Sequence, residues 1–431
     1  MNLPPRIVIT GTGAVCGSGL TIDAIWDAIL AGRSAVAPLS RWDAAGWPVK
    51  VAAEVTGVDN RTLVEDRKLH KLILRTDLFG IYAAGAAIQQ SGLAAHRDAL
   101  DPALAAQFND RCGVISGSGG GTYQNNYDFF PAFSAVQGDL QKFGAESCST
   151  VNPMWLLRNL PNNVLCHVGI RHNFKGTNAC ITNQCVGGIM AAAEAAAAIR
   201  AGEADRAVAV GHDTPIDAET MLNYYQVGLM SPDALRPFDR RRNGTVFGEG
   251  AAAVMLERAE DAAARGAFVM GEFLGAGCVT EATGVLKVRG DGDGLSRAIQ
   301  VAMDEAGIAP DDVGLIVAHG NGTPASDASE AQAFRHVFGS NLPPVTAFKW
   351  AFGHLIAASG ILDLTLALKA IEQRIAPGIP TLKTVDPEFP WLTVQLHSQP
   401  ARTDIALVCC RGFGGMNVAV LVRAGTSRSA T

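Results

Sequence analysis

An α/β fold of layered sheets and helices, doubled along the chain, is predicted from three observations. Short apolar runs ending in glycine alternate with helical patterns, which is the signature of strands feeding helices. The two halves of the 431 residues echo one another in the same order. The composition, 48% hydrophobic and 18% charged with 47 glycines, suits a compact enzyme with a large core rather than a disordered or fibrous chain.

The elements follow in order. "RIVITGTGA" (6–14), "CGVISGSGGG" (112–121), "RAVAVGHD" (206–213) and "VGLIVAHGNG" (313–322) read as buried strands opening into glycine turns. "LFGIYAAGAAIQQSGL" (78–93), "VGGIMAAAEAAAAIRAGE" (186–203) and "GDGLSRAIQVAMDEAGI" (292–308) read as helices. The echo pairs "RIVITGTGA" with "FVMGEFLGAG" (268–277), and "CVGGIMAAAEAAAAIRAGE" with "GHLIAASGILDLTLALKAIEQ" (353–373). It also pairs "FGEGAAAVMLE" (247–257) with "FGGMNVAVLVR" (413–423). The join falls near residues 255–270, giving halves 1–258 and 259–425 and a disordered tail at 426–431. An active site is expected where turns from both halves meet.

Several classes of function are set aside. A net charge of −6 argues against generic nucleic-acid binding. Nine scattered cysteines form neither a disulfide framework nor a zinc spacing. "MNLPPRIVITGTG" lacks a signal peptide's basic and apolar regions, and no run of about 20 apolar residues is present. A cytoplasmic setting without a membrane span is expected. "GSGGG" (117–121) lacks both the phosphate-loop lysine and dinucleotide-binding spacing.

The chemistry centres on "NACITNQCVGG" (178–188). Cys185 stands between a strand and a helix, where the positive end of the helix dipole favours thiolate. On this feature alone a buried, inert cysteine is the commoner outcome. Cys180 lies within the strand and reads as structural. His319 and His354 sit in glycine turns, where neutral imidazoles can donate to a carbonyl becoming an enolate. Lys349 is either a buried pair partner or a solvated lysine. The glycine-rich turn "CRGFGGMN" (410–417), including Phe413 and Gly414, offers backbone amides for an oxyanion hole.

Taken together, "LRPFDRRRNGTVFGEGAAAVMLE" (235–257), "AHGNGTPASDASE" (318–330), "KWAFGHLIAASG" (349–360) and "GFGGMN" (412–417) resemble the elongating β-ketoacyl-acyl carrier protein synthases of the thiolase superfamily. The resemblance spans nearly the whole chain and implies a thiolase-like, duplicated five-layered α-β-α-β-α fold. The family's G-P-x-x-x-x-x-T-A-C pattern matches the nine-residue step from Gly176 to Cys185, which implies that Cys185 is the nucleophile. It further implies that His319, His354 and Lys349 are catalytic, and that Glu330 and Asp363 are structural pair partners. Thr323 and Asn321 would contact the phosphopantetheine arm, and Gln184, Arg411 and Gly414 would join them in binding substrate. Phe413 would be a gate, its amide and that of Cys185 forming the oxyanion hole. Arg67 and Lys68 would dock an acidic carrier protein. The reaction implied is decarboxylative Claisen condensation between a Cys-bound acyl group and a malonyl-carrier protein, with no metal or nucleotide. The phosphopantetheine arrives on the carrier, and the assembly is a homodimer or a heterodimer with a paralogue.

The chain departs from the family pattern at several points. Gln184 replaces alanine beside the nucleophile and is expected to face and narrow the acyl pocket. Arg411 replaces an aromatic, Asp363 a glutamate and Phe352 a threonine, while "QVGLMS" (226–231) lacks a docking arginine. These changes point to a specialised polyketide or unusual fatty-acid pathway. The alternatives are a chain-length-setting or decarboxylating partner subunit and a degradative thiolase. Cys409 and Cys410 raise the last of these; the two histidines weigh against it.

Overall fold

The computed structural model describes residues 4–119 and 129–425. The expected tail at 426–431 and the end of the "GSGGG" run lie outside the described residues. Ten strands build the main sheet. In the first half they are β1 (Ile7–Cys16), β2 (Cys112–Ser118), β3 (Asn178–Ile181), β4 (Arg206–Asp213) and β5 (Gly250–Arg258). In the second they are β6 (Gly271–Thr280), β7 (Leu315–Val317), β8 (Val345–Thr346), β9 (Ile405–Gly412) and β10 (Met416–Ala424). The helices that matter most are α1 (Arg75–Gln90), α2 (Gly187–Arg200), α3 (Asp293–Ala306), α4 (Pro324–Phe338) and α5 (Ser359–Glu372).

The strand order is β8-β7-β9-β10-β6-β1-β5-β4-β2-β3, so the second half repeats the first in mirror order. The halves meet through β1 and β6 over three antiparallel pairs, Ile7–Phe273, Val8–Glu272 and Ile9–Gly271. Helix α1 covers β1, β4 and β5 from outside, and α3 covers β6 and β10. Helices α2 and α5 pack on each other between the two five-strand halves of the sheet. This is the thiolase-like α-β-α-β-α stack.

The glycine echo has a steric origin. A Cβ at Gly11 or Gly13 of β1 would lie 2.0–2.1 Å from the carbonyls of Ala87 and Ala83 in α1. A Cβ at Gly277 of β6 would lie 2.0 Å from the Ala298 carbonyl in α3. In both halves a helix lies directly on bare strand backbone, which only glycine permits. Similarly, a Cβ at Gly188 of α2 would lie 2.3 Å from the Ala357 carbonyl, in the turn that leads into α5.

Two predicted boundaries move, each for a local reason. Helix α1 begins at Arg75 rather than 78, because the Asp77 carboxylate accepts the Leu74 amide at 2.9 Å. It ends before Gly92, whose φ of +72° breaks the ladder. The predicted strand 313–322 pairs only over Leu315–Val317. Beyond Ala318 the Glu330 carboxylate takes the amides of His319 and Gly320 at 2.8 and 3.0 Å, which replaces sheet pairing and turns the chain.

Candidate active site

Cys185 lies in a single 3₁₀ turn, Gln184–Val186, that runs into α2. The turn depends on Gln184 adopting a left-handed φ of +47°. The mirror-related turn Ile356–Ala358 enters α5 with Ile356 at φ +45°. Non-glycine residues rarely adopt this conformation, and here it recurs at the entries to α2 and α5. Strand β9 runs against the cysteine: Cys410 Sγ lies 3.3 Å from the Cys185 carbonyl oxygen, and a Cβ at Gly412 would lie 3.6 Å from that of Cys185.

The histidines arrive from the other half. His354 is held by strand-like pairing with the "FGEG" segment: its amide donates to Val246 O at 2.7 Å and its carbonyl accepts from the Gly248 amide at 3.1 Å. A Cβ at Gly248 would lie 2.0 Å from Phe352 O, so this motif is spaced to seat His354. The Ile356 amide donates to His354 Nδ1 at 3.2 Å, and Ser359 Oγ is 2.9 Å from the same nitrogen. That assignment leaves the ring proton on Nε2, making the ring a donor there. His319 is held at its backbone by Glu330, and its ring centroid is 5.3 Å from that of His354, edge to face.

Burial holds both imidazoles well below their ordinary pKa, with the Lys349 charge adding to the effect, so both are neutral hydrogen-bond donors. Lys349 is fully buried and bonds Asp363 Oδ2 at 2.6 Å. Burial is the largest single effect and would lower its pKa; the Asp363 charge and hydrogen bond, with Cys410 and Glu330, together hold it above the usual value. Glu330 is also fully buried but engages backbone amides, not a lysine.

Cys185 departs from expectation. The helix dipole favours thiolate, yet burial pushes the thiol up to about 12, with Asp213 opposing ionisation and Lys349 assisting it. A 3₁₀ turn precedes the helix proper and the side chain is almost solvent-free, so desolvation wins. The resting group is a thiol. Gln184 departs too. Its side chain is exposed and donates to Gly119 O at 2.7 Å. The left-handed backbone turns it away, and it does not line the cavity that holds Cys185.

That cavity, about 120 Å³, is lined by Cys185, His319, His354, Asn321, Thr323, Arg411 and Phe413, with Glu281 and Tyr224 among the rest. Asn321 Oδ1 accepts from the Thr323 amide at 3.0 Å and its hydroxyl at 2.8 Å, capping the entry to α4. The Phe413 and Tyr224 rings lie 5.2 Å apart, tilted at 39° to each other. Gly414, with φ +77°, shapes the turn without lining the cavity. Arg67 and Lys68 lie elsewhere, both exposed; Arg67 borders a surface groove with Arg61, His70 and Arg75. Sequence reasoning missed Glu281, Tyr224 and Asp213, since none falls in a turn with a spacing signal.

Comparison with known proteins fits this geometry. The family described as β-ketoacyl synthase, N-terminal domain, matches residues 5–262, and its C-terminal domain matches 270–383. The chain belongs to the β-ketoacyl synthase family. Similar members include a tetracenomycin polyketide synthase ketoacyl synthase beta subunit from Streptomyces glaucescens, 32% identical over 98% of this chain and 99% of that one. A 3-oxoacyl-[acyl-carrier-protein] synthase 2 from Coxiella burnetii is 30% identical over 96% and 97%. Among solved structures, the ishigamide ketosynthase/chain length factor superposes with a TM-score of 0.85 at 25% identity, covering 98% of this chain and all of that one. A β-ketoacyl synthase from Burkholderia phymatum gives the same values. Among the described residues no helix is long and apolar enough to cross a membrane.

Proposed function

We propose that this ketosynthase is a β-ketoacyl-acyl carrier protein synthase that extends a Cys185-bound acyl group with malonyl units in a specialised polyketide or unusual fatty-acid pathway. The observation that carries the reading is that one thiol and two neutral imidazoles, contributed by the two halves, line one cavity. In the first stage Cys185 sulfur bonds the acyl carbon, and the carrier thiol leaves with the proton. The amides of Cys185 and Phe413 receive the charge on the carbonyl oxygen. In the second stage the malonyl C–C bond breaks, releasing carbon dioxide. His354, through Nε2–H, and His319 stabilise the enolate oxygen. The enolate carbon then bonds the acyl carbon, and Cys185 leaves as thiolate and is reprotonated. Such donors are typically worth roughly 3–4 kcal/mol each. Lys349 and Asp363 act as a fixed charge pair behind the histidines. Asn321 and Thr323 meet the phosphopantetheine arm, and Arg67 and Lys68 meet an acidic carrier protein.

A second reading, a partner subunit that sets chain length, is favoured by the similarity to a ketoacyl synthase beta subunit. Intact-protein mass spectrometry after incubation with a panel of acyl-carrier proteins separates the two. Condensation requires an acyl adduct on the wild type, lost in Cys185→Ala, and extension when malonyl-carrier protein is added. No adduct on any panel member would leave the partner-subunit reading.

A further inference from the structure

The cavity contains a buried charge pair that the proposed chemistry does not use. Arg411 and Asn417 face each other across β9 and β10, at the base of the hairpin whose turn is Phe413–Gly415. Arg411 Nε donates to Asn417 Oδ1 at 2.8 Å, one Nη to Ser326 O at 2.9 Å, and the other to Glu281 Oε1 at 2.8 Å. Asn417 Nδ2 donates in turn to Glu281 Oε1 at 3.2 Å and to Gly415 O at 2.9 Å. The ion-paired side chains of Arg411 and Glu281 are 6% and 1% exposed.

Space for this cluster is built in. A Cβ at Gly415 would lie 2.7 Å from Glu281 Cβ, and one at Gly294 would lie 2.5 Å from Glu281 Cγ and 2.6 Å from Asn417 Nδ2. The turn is held from the same side by further bonds. The Glu281 amide donates to Gly415 O at 2.9 Å, the Gly414 amide to Val285 O at 2.8 Å, and Thr280 Oγ1 to Gly414 O at 3.2 Å.

We propose that Arg411, through Glu281 and Asn417, is a positioning residue that fixes the Phe413–Gly415 turn and thereby aims the Phe413 amide at the reacting carbonyl. The inference rests on the condensing reading above. A turn with two left-handed glycines, Gly414 and Gly415, has many accessible shapes. The fork of a guanidinium can tie three partners in one plane, which an aromatic side chain cannot do. A buried ion pair contributes little net stability because desolvation offsets its attraction, so what it supplies here is geometry.

Three variants test this: Glu281→Gln, Arg411→Lys and Thr280→Val. The last is an exposed position bonded to the same turn, and it keeps the test open if the buried variants do not fold. Single-turnover acylation of Cys185 by an acyl-carrier protein is measured beside alkylation by iodoacetamide, a displacement that needs no oxyanion donor. The limiting acylation rate is expected to fall about 10–100-fold in the first two variants and less in the third, with the half-saturating carrier concentration and alkylation near wild type. Lysine should not rescue, since it keeps the charge but not the fork. Acylation at the wild-type rate, or alkylation falling in step with acylation, overturns the proposal. If the wild type itself forms no acyl adduct, the condensing reading fails and takes this inference with it.

Discussion

At Cys185 two effects on one thiol oppose each other, and burial outweighs the helix terminus. Burial disfavours the charged form, so the pKa moves up, to about 12. Below that value the thiolate fraction grows with pH by about tenfold per unit. Iodoacetamide modification of Cys185, followed by peptide mass spectrometry to separate it from the exposed Cys148 and Cys278, should therefore keep rising from pH 7 to pH 10. A rate that levels off by pH 10 would mean that the thiol titrates near its ordinary value. The same residue scale explains Gln184. Sequence places it beside the nucleophile, but a φ of +47° sends its side chain to Gly119 O.

At the scale of elements, the site is held by motifs that do no chemistry themselves. "FGEG" seats His354 through backbone pairing, and Glu330 of α4 fixes the His319 turn. Lys349 and Asp363 join the start of "KWAFGH" to α5, both wholly out of water. Lys349→Ala leaves the Asp363 charge without its partner and should lower stability by about 3–5 kcal/mol. Lys349→Met with Asp363→Leu should recover most of that, because two apolar groups need no pairing. Denaturant unfolding followed by circular dichroism reads both; a loss under about 1 kcal/mol for the single variant would show that the charge is screened.

At the scale of the molecule, the mirror strand order brings turns from two distant segments onto one cavity. It also leaves β3, four residues long and directly before the Cys185 turn, at the end of the sheet. Leu156, Leu157 and Ile170 lie in the segment before it and are 64%, 44% and 76% exposed. An open edge beside exposed apolar side chains is a surface that another chain can cover. Analytical ultracentrifugation should find twice the mass of one chain, and Cys180→Pro, which removes an amide that faces away from β2 along that edge, should return it to one. A wild-type monomer at micromolar concentration would argue instead for a paralogous partner.

The sequence by itself determined the alternation of strands and helices and the duplication, and it singled out the thiol and two imidazoles that the fold brings to one cavity. These are carried by local spacing: glycines where a helix lies on a strand, and ordered motifs that recur across half the chain. The tertiary structure alone decided which way Gln184 points, whether the Cys185 thiol is ionised, and that Glu281 joins Arg411 and Asn417 beneath the Phe413 turn. Those outcomes depend on burial and on contacts distant in sequence, 65 positions for Gln184 and Gly119 and 130 for Arg411 and Glu281. Desolvation and long-range pairing leave no period in a sequence, so they become readable only once the two halves are folded together.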